Sequence, residues 1–436
     1  MSSIGLFIFD HDCRLLDNPA LASFSAQVDK LICLYCLRPQ DAFSRHYSQT
    51  SASGAQLGYL KQTLIELNQG LTALNQCLRV ESGDLVAVVG RYIKDHRISH
   101  IGRSVPAGVY EQAQWQALQK AFPRQQFFAG DSSSLFTLTD LPFALNDLPA
   151  SFTPARKRFE TLEVAPAQIA VPNLPGAPQT PVTPWPEALM AADNSYYSGG
   201  ETSARQHLAR YFSSRAPSDY KATRNALMGE SFSTQLSGYL AHGALSPRQI
   251  VAALKVYEAE HGANESTYWI YFELLWREYF YWSARARGAR LFAFDGGTGK
   301  APNTSFYPSR FKQWCQGSTP YPLVNALMHE LNATGWMSNR GRQIAASCLV
   351  NELALDWRYG AAYFEQRLID YDVASNWGNW QYIAGVGADP RGGRHFNLEK
   401  QAEQYDPGGD YVNRWSGRAQ CQPLDSVDMV DWPLGD

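Results

Sequence analysis

Asp370-Tyr371-Asp372-Val373-Ala374-Ser375-Asn376-Trp377-Gly378-Asn379-Trp380-Gln381-Tyr382 sets polar groups into an otherwise apolar, aromatic run. Asp372 and Asn376 are four apart, hence on one helical face, with Asp370 just ahead of them. Moving outward, the same spacing recurs in Asn339, Arg342 and Gln343, and again in Glu273, Trp276 and Arg277. Any one cluster reads equally as a surface ion pair or a satisfied buried network. Three in one aromatic-rich region point to a shared polar ligand, because buried charges need partners and a ligand can supply them. Upstream, Ser231, Ser233, Thr234 and Ser237 offer hydroxyl and backbone donors ahead of a helix start, a cradle suited to pyrophosphate.

Around this half the chain divides by texture. Its 436 residues are too many for one ordinary domain, and 45% hydrophobic against 18% charged excludes a disordered chain. Residues 1–135 read as an α/β domain with a doubly wound parallel sheet. The strands expected there are Leu6–Phe9, Leu31–Leu37, Leu85–Val89 and Ile98–Ile101, with helices opening at Asp17-Asn18-Pro19 and running over Leu57–Leu74. Residues 136–198 form a Pro-rich connector, with ten prolines between Pro142 and Pro186. Residues 199–420 form a larger all-α domain, with helices over Thr267–Arg287, Pro322–Leu331, Asn339–Trp357 and Ala361–Tyr371 and another starting at Ser246-Pro247. An acidic tail, 421–436, completes the chain and is expected to be loosely attached.

Several function classes drop out. A net charge of −3 excludes a globally basic nucleic-acid coat, though not a local groove. No apolar run spans a membrane, and the N-terminal Ile4–Phe9 run is too short for a signal peptide. Seven dispersed cysteines suit free thiols in a reducing cytoplasm, with Cys33 and Cys36 as core residues of a strand. No HExxH, GxSxG or zinc-type CxxC pair occurs, so no metal site is expected. Gly296-Gly297-Thr298-Gly299-Lys300 fails as a phosphate loop, because Phe294 stands where its first glycine belongs and Ala301 where Ser or Thr belongs.

The quoted stretch, with Ser338–Gln343, Asp356-Trp357-Arg358, Ala384–Gly387, Phe396-Asn397 and Tyr405-Asp406-Pro407, resembles the photolyase/cryptochrome family, closest to its cryptochrome-DASH branch. Arg14–Leu21 and Leu236–Arg248 resemble it as well. The resemblance implies an antenna-binding α/β domain and a helical domain holding FAD. Carried over by position, Tyr220, Ser233, Thr234 and Ser237 would hold the FAD phosphates, and Arg277 and Asn339 would line the cofactor. Arg342 would pair with Asp370 beside the flavin, Asp372 would contact the ring or its ribityl chain, and Asn376 would face N5.

The implied activity is blue-light-driven splitting of cyclobutane pyrimidine dimers flipped out of damaged DNA. Glu273 would bond the bases, Trp276 would stack on them, and Arg340 and Arg394 would meet phosphate. Gln343 and Tyr382 replace the Met and Trp of classical photolyases, an exchange typical of the DASH branch, whose repair favours single strands. Trp380 and Trp357 match the inner photoreduction residues. The outer position falls near Thr304–Phe306, where no Trp stands, leaving Tyr307 or Trp314 as substitutes. A 5,10-methenyltetrahydrofolate antenna is a further expectation, with Glu111 near the folate-binding position. Arg285, Arg287 and Arg290, with Arg391 and Arg394, read either as a phosphate groove or as solvated faces. A monomer is expected, and the protein partners stay open. The alternative to repair is a blue-light receptor with the same cofactor.

Overall fold

The computed structural model describes residues 2–37, 47, 52–168, 173–178, 183–193, 195–229, 231–387 and 393–425. The N-terminal part alternates strand and helix: β1 (Ile4–Phe9), α1 (Pro19–Ser25), β2 (Lys30–Leu37), α2 (Gly54–Ala73), β3 (Leu78–Ser82), α3 (Leu85–His96), β4 (His100–Ser104), α4 (Val109–Ala121) and β5 (Gln126–Gly130). The strands form one parallel sheet in the order β3-β2-β1-β4-β5, with Phe7 beside Cys33 and Leu6 beside both Ile32 and Ile101. Because β1 side chains alternate in direction, Phe7 and Phe9 enter one apolar layer while Leu6 and Ile8 enter the other. Both faces are therefore covered, as an all-parallel sheet requires.

The expected strand at Leu85–Val89 is instead the start of α3. Asp84 caps it by accepting Ala87 N–H at 2.9 Å, and Leu85, Val88, Val89 and Tyr92 are its buried residues, at i, i+3, i+4 and i+7. A five-residue apolar run has no period of its own, and the Gly83-Asp84 cap decides it. β3, just before α3, and β5, after α4, are strands the sequence pattern does not announce: each has only five residues, and β3 carries Arg79, Glu81 and Ser82 among them.

The connector is not uniformly irregular. α5 (Phe152–Phe159) buries Phe152, Ala155 and Phe159 against the helical core, with Pro154 in the first turn, where it breaks no helical bond. The short α6 (Glu187–Met190) follows. The helical part then runs α7 (Glu201–Phe212), α8 (Ala216–Thr223), α9 (Ser237–Ala241), α10 (Pro247–His261), α11 (Glu265–Arg287), α12 (Pro308–Gln316), α13 (Pro322–Thr334) and α14 (Asn339–Ser347). It ends with α15 (Trp357–Arg367), α16 (Val373–Ala384), α17 (Leu398–Tyr405) and α18 (Asp410–Arg414).

The helix expected over Asn339–Trp357 is thus two. α14 passes into a π-helical turn over Cys348–Glu352, and α15 restarts at Trp357, capped by Asp356. The helix expected over Ala361–Tyr371 is this α15, displaced toward the N-terminus. Tail residues 421–425 are pinned, Asp425 accepting Arg310 Nε–H at 2.8 Å and Gln422 N donating to Ser318 O. The rest of the expected loose tail lies outside the described residues, as does Arg391. Among the described residues no helix is long and apolar enough to cross a membrane.

The two parts meet along a buried polar seam. Arg14 donates to Gly243 O at 2.9 Å, Asp17 pairs with Arg248 at 3.0 Å, and Glu201 accepts the Leu15 and Leu16 amides at 2.8 and 3.0 Å. A buried charge is tolerable only when so paired.

Candidate functional site

The three polar clusters converge. α11, α14 and α16 present them, Trp276 excepted, to two adjoining cavities that share Arg342, Asp370, Asp372 and Ser375. The larger, about 220 Å³, is also lined by Tyr220, Thr234, Ser237, Glu273 and Arg277; the smaller by Asn339, Gln343, Asn376, Asn379 and Trp380. A wider groove of about 800 Å³ lies elsewhere, beside the start of α13 and α17, and none of the predicted site residues lines it.

Local rules place each group. Ser338 caps α14 through Gly341 N–H at 3.1 Å, fixing where Asn339, Arg342 and Gln343 point. Asp372 caps α16 through Ser375 N–H at 2.7 Å and still borders both cavities. Arg342 donates to Met337 O at 2.9 Å and to Asp370 Oδ2 at 2.8 Å. Asp370 Oδ1 is buried without a hydrogen-bond partner among the described residues. Asn376 donates to Ala361 O at 3.0 Å and lines the smaller cavity.

At the far end Thr234 is held by His207, whose Nε2 donates to Thr234 O at 2.8 Å. Ser231 and Gln235, at φ 55° and 50°, bracket Ser233 and Thr234 in a left-handed backbone that costs about 1–3 kcal/mol each. Ser233 is half-buried in that loop without lining the cavity.

Glu273 borders the larger cavity and is bonded by Arg224, a residue the sequence reading missed. Burial raises its pKa and Arg224 opposes the rise. Arg277 donates to Ser133 O at 2.7 Å, and its neighbour Glu278 accepts Leu135 N–H at 2.8 Å, so adjacent residues of α11 grip the connector's origin. Trp276 lies under Phe152 of α5, ring centroids 3.7 Å apart at 13°, and meets Tyr382 edge-on at 5.9 Å. The Tyr382 hydroxyl oxygen accepts Arg394 Nη2–H at 2.6 Å, and the Arg394 guanidinium carbon stands 5.2 Å from the Tyr382 ring centroid. Arg340 donates to Asn225 at 3.1 Å and lies over the Tyr405 and Phe396 rings at 4.9 and 5.5 Å.

Trp380 lines the smaller cavity and contacts Trp314 at 6.1 Å, whereas Trp357 contacts Trp377 at 5.7 Å. The expected basic cluster is partly spent internally: Arg285 pairs with Asp131 at 3.5 Å, and Arg287 donates to Gln381 at 2.7 Å. The rejected Gly296–Lys300 loop takes no phosphate part either, since Asp295 accepts the Gly297 and Gly299 amides at 2.9 and 3.1 Å.

A carboxylate–guanidinium pair at the junction of two clefts, hydroxyls at one end and an indole at the other make an elongated polar-and-aromatic slot for a dinucleotide. Comparison with known proteins agrees. Residues 6–175 match the DNA photolyase family model, and residues 269–427 match the FAD-binding domain of DNA photolyase. A "Cryptochrome DASH" of Idiomarina loihiensis is 49% identical over 433 residues, covering 99% of this chain and 96% of that protein. The chain belongs to the cryptochrome-DASH branch of the photolyase/cryptochrome family. Among solved structures, a Synechocystis cryptochrome superposes with a TM-score of 0.89 at 36% identity, covering 95% of this chain and 89% of that one. An archaeal photolyase from Sulfolobus tokodaii, described with two FAD molecules that imply a novel light-harvesting cofactor, gives 0.76 at 25% identity, covering 94% and 90%. The fold is therefore that of the cryptochromes and photolyases, and the helical half carries the family's FAD-binding domain.

Proposed function

We propose that the protein is an FAD-dependent, blue-light-driven enzyme that splits cyclobutane pyrimidine dimers by electron transfer, preferring single-stranded DNA. The observation carrying this is Glu273 and Arg277 bordering the same cavity as Arg342, Asp370 and Asp372. A lesion bonded by Glu273 would lie beside a flavin held by Arg277, Arg342, Asp370 and Asp372.

The residues fit FAD. The buried, partnerless Asp370 Oδ1 calls for a donor from a ligand, and a flavin ring carries one. Arg342, Asp370, Asp372 and Asn376 would hold the ring end, with Asn339 and Arg277 alongside. Thr234, Ser237 and Tyr220 would hold the phosphates, with Ser233 in the same loop. Bound there, FAD supplies the light-excited electron donor. Trp380 would pass electrons in during photoreduction; its contact with Trp314 favours that indole as the next station, with Trp357 as the other route.

For the lesion, Glu273 would accept from base N–H groups, Trp276 would stack on the bases, and Arg340 and Arg394 would attract phosphate. Gln343 and Tyr382 offer less apolar surface than Met and Trp. Less free energy then offsets extraction of the dimer from a duplex, which costs a few kcal/mol. The chamber of about 170 Å³ lined by Asp10, His11, Glu111 and His242 suits a methenyltetrahydrofolate antenna. Seven free cysteines fit a cytoplasmic setting, and a monomer suffices for the chemistry.

The test is illumination of the chemically reduced, flavin-loaded protein with dimer-containing oligonucleotides, single-stranded and duplex. Dimer loss is expected in both, faster in single strands. Equal rates would remove the strand preference. No loss in either would leave the blue-light receptor as the role.

A further inference from the structure

We propose that Arg224, seated on the Trp269 indole, is a positioning residue that keeps Glu273 a charged hydrogen-bond acceptor in the lesion cavity. This rests on the reading of Glu273 as the group that contacts the bases. Arg224 lies just beyond the end of α8. Its Nη1 is bonded to Glu273 Oε1, and its guanidinium carbon stands 4.3 Å from the Trp269 ring centroid. Trp269 and Glu273 are i and i+4 on α11, so one helical face holds the guanidinium twice, by charge and by its flat side. A second cation, Lys221, stands 5.7 Å over the same indole but is paired with Glu265, leaving Arg224 to Glu273.

The chemistry needs the charge. The imide N–H of a thymine-type base is a donor, and an ionised carboxylate is acceptor-only, whereas a protonated acid turns one oxygen into a donor. Glu273 is set in dense protein yet keeps 33% of its side-chain surface open, so it is both desolvated and reachable. Burial favours its neutral form, and Arg224 pulls the other way. The other ionisable groups around the cavity are Tyr220 on α8, Arg277 on α11, Arg342 on α14, and Asp370 and Asp372 before α16. Arg277 is turned to Ser133 O at 2.7 Å, and the last three bring one positive and two negative charges, so none of these groups replaces Arg224.

The test is dark binding of a fluorescent thymine-dimer-containing single strand to the flavin-loaded protein, measured by anisotropy across pH. Wild-type affinity should fall on the acid side of a midpoint set by Glu273. Arg224→Gln should move that midpoint up by about one pH unit or more, the effect of removing an adjacent opposite charge. Arg224→Lys should stay near wild type, and Glu273→Gln should abolish the midpoint. Trp269→Leu, which leaves both charges but removes the platform, should give an intermediate rise and serves also if Arg224→Gln does not fold. A wild-type midpoint in both Arg224→Gln and Trp269→Leu, with the midpoint lost in Glu273→Gln, would overturn the role of Arg224 alone. Wild-type affinity and pH profile in Glu273→Gln would overturn the lesion-contact reading and this inference together.

Discussion

At the residue scale, Asp370 ties Arg342 down and leaves one oxygen for a ligand. Asp370→Asn should cost about 2 kcal/mol, less than a fully buried pair, because Arg342 keeps 25% of its side-chain surface open. Urea unfolding of the flavin-free protein measures that, and gel filtration should show FAD lost from the variant. Two other carboxyls set a pH response. Burial lifts both Glu278 and Glu330 from 4.5 to about 7. A carboxyl that holds its proton more tightly when folded stabilises fully below its unfolded pKa and loses that contribution as pH rises through the folded one. Thermal stability should therefore decline from about pH 5 to about pH 8. Glu330→Gln keeps an acceptor for Tyr411 O–H but has no proton to lose, so its melting temperature should fall less over that range, by about 2 °C or more. The spacing of Asp370, Asp372 and Asn376 was readable because helical period is local. Arg224 was not, because its meeting with Glu273 joins residues 49 apart in sequence.

At the element scale, helix packing decides what the connector and the indoles do. The prolines disguised α5, yet its Phe152 stacks on Trp276, so part of the connector packs against the helix that borders the larger cavity. The photoreduction route depends on how α12, α15 and α16 pack. α16 brings Trp380 to Trp314 of α12, and Trp314 contacts Phe311 at 6.2 Å and Tyr363 at 5.6 Å. Trp380→Phe should nearly abolish photoreduction by external donors, and Trp314→Phe should slow it more than Trp357→Phe does. Transient absorption of the three variants measures this; a larger effect from Trp357→Phe would restore the route through that residue. Nothing in the spacing of the tryptophans distinguishes the two, because ring contact is a property of helix packing.

At the scale of the whole molecule, the charge that matters for DNA is what internal pairing leaves over. Arg285 and Arg287 are engaged by Asp131 and Gln381, whereas Arg340 is held largely over aromatic faces. Arg285→Ala should leave the salt dependence of single-strand binding unchanged. Arg340→Ala should lower the slope of log K against log salt by about 0.7, the share of one single-strand phosphate contact. Titrations at several salt concentrations give both values. By itself the sequence determined the parallel sheet, the helical ligand-binding half and the three polar faces, because apolar period, capping residues and i, i+4 spacing act within a few residues. The tertiary structure alone decided that Leu85–Val89 is helix, that Phe152 stacks on Trp276 and Arg224 bonds Glu273, which indole touches Trp380 and which arginines are paired internally. Those outcomes depend on distances between segments far apart in the chain, which only packing fixes.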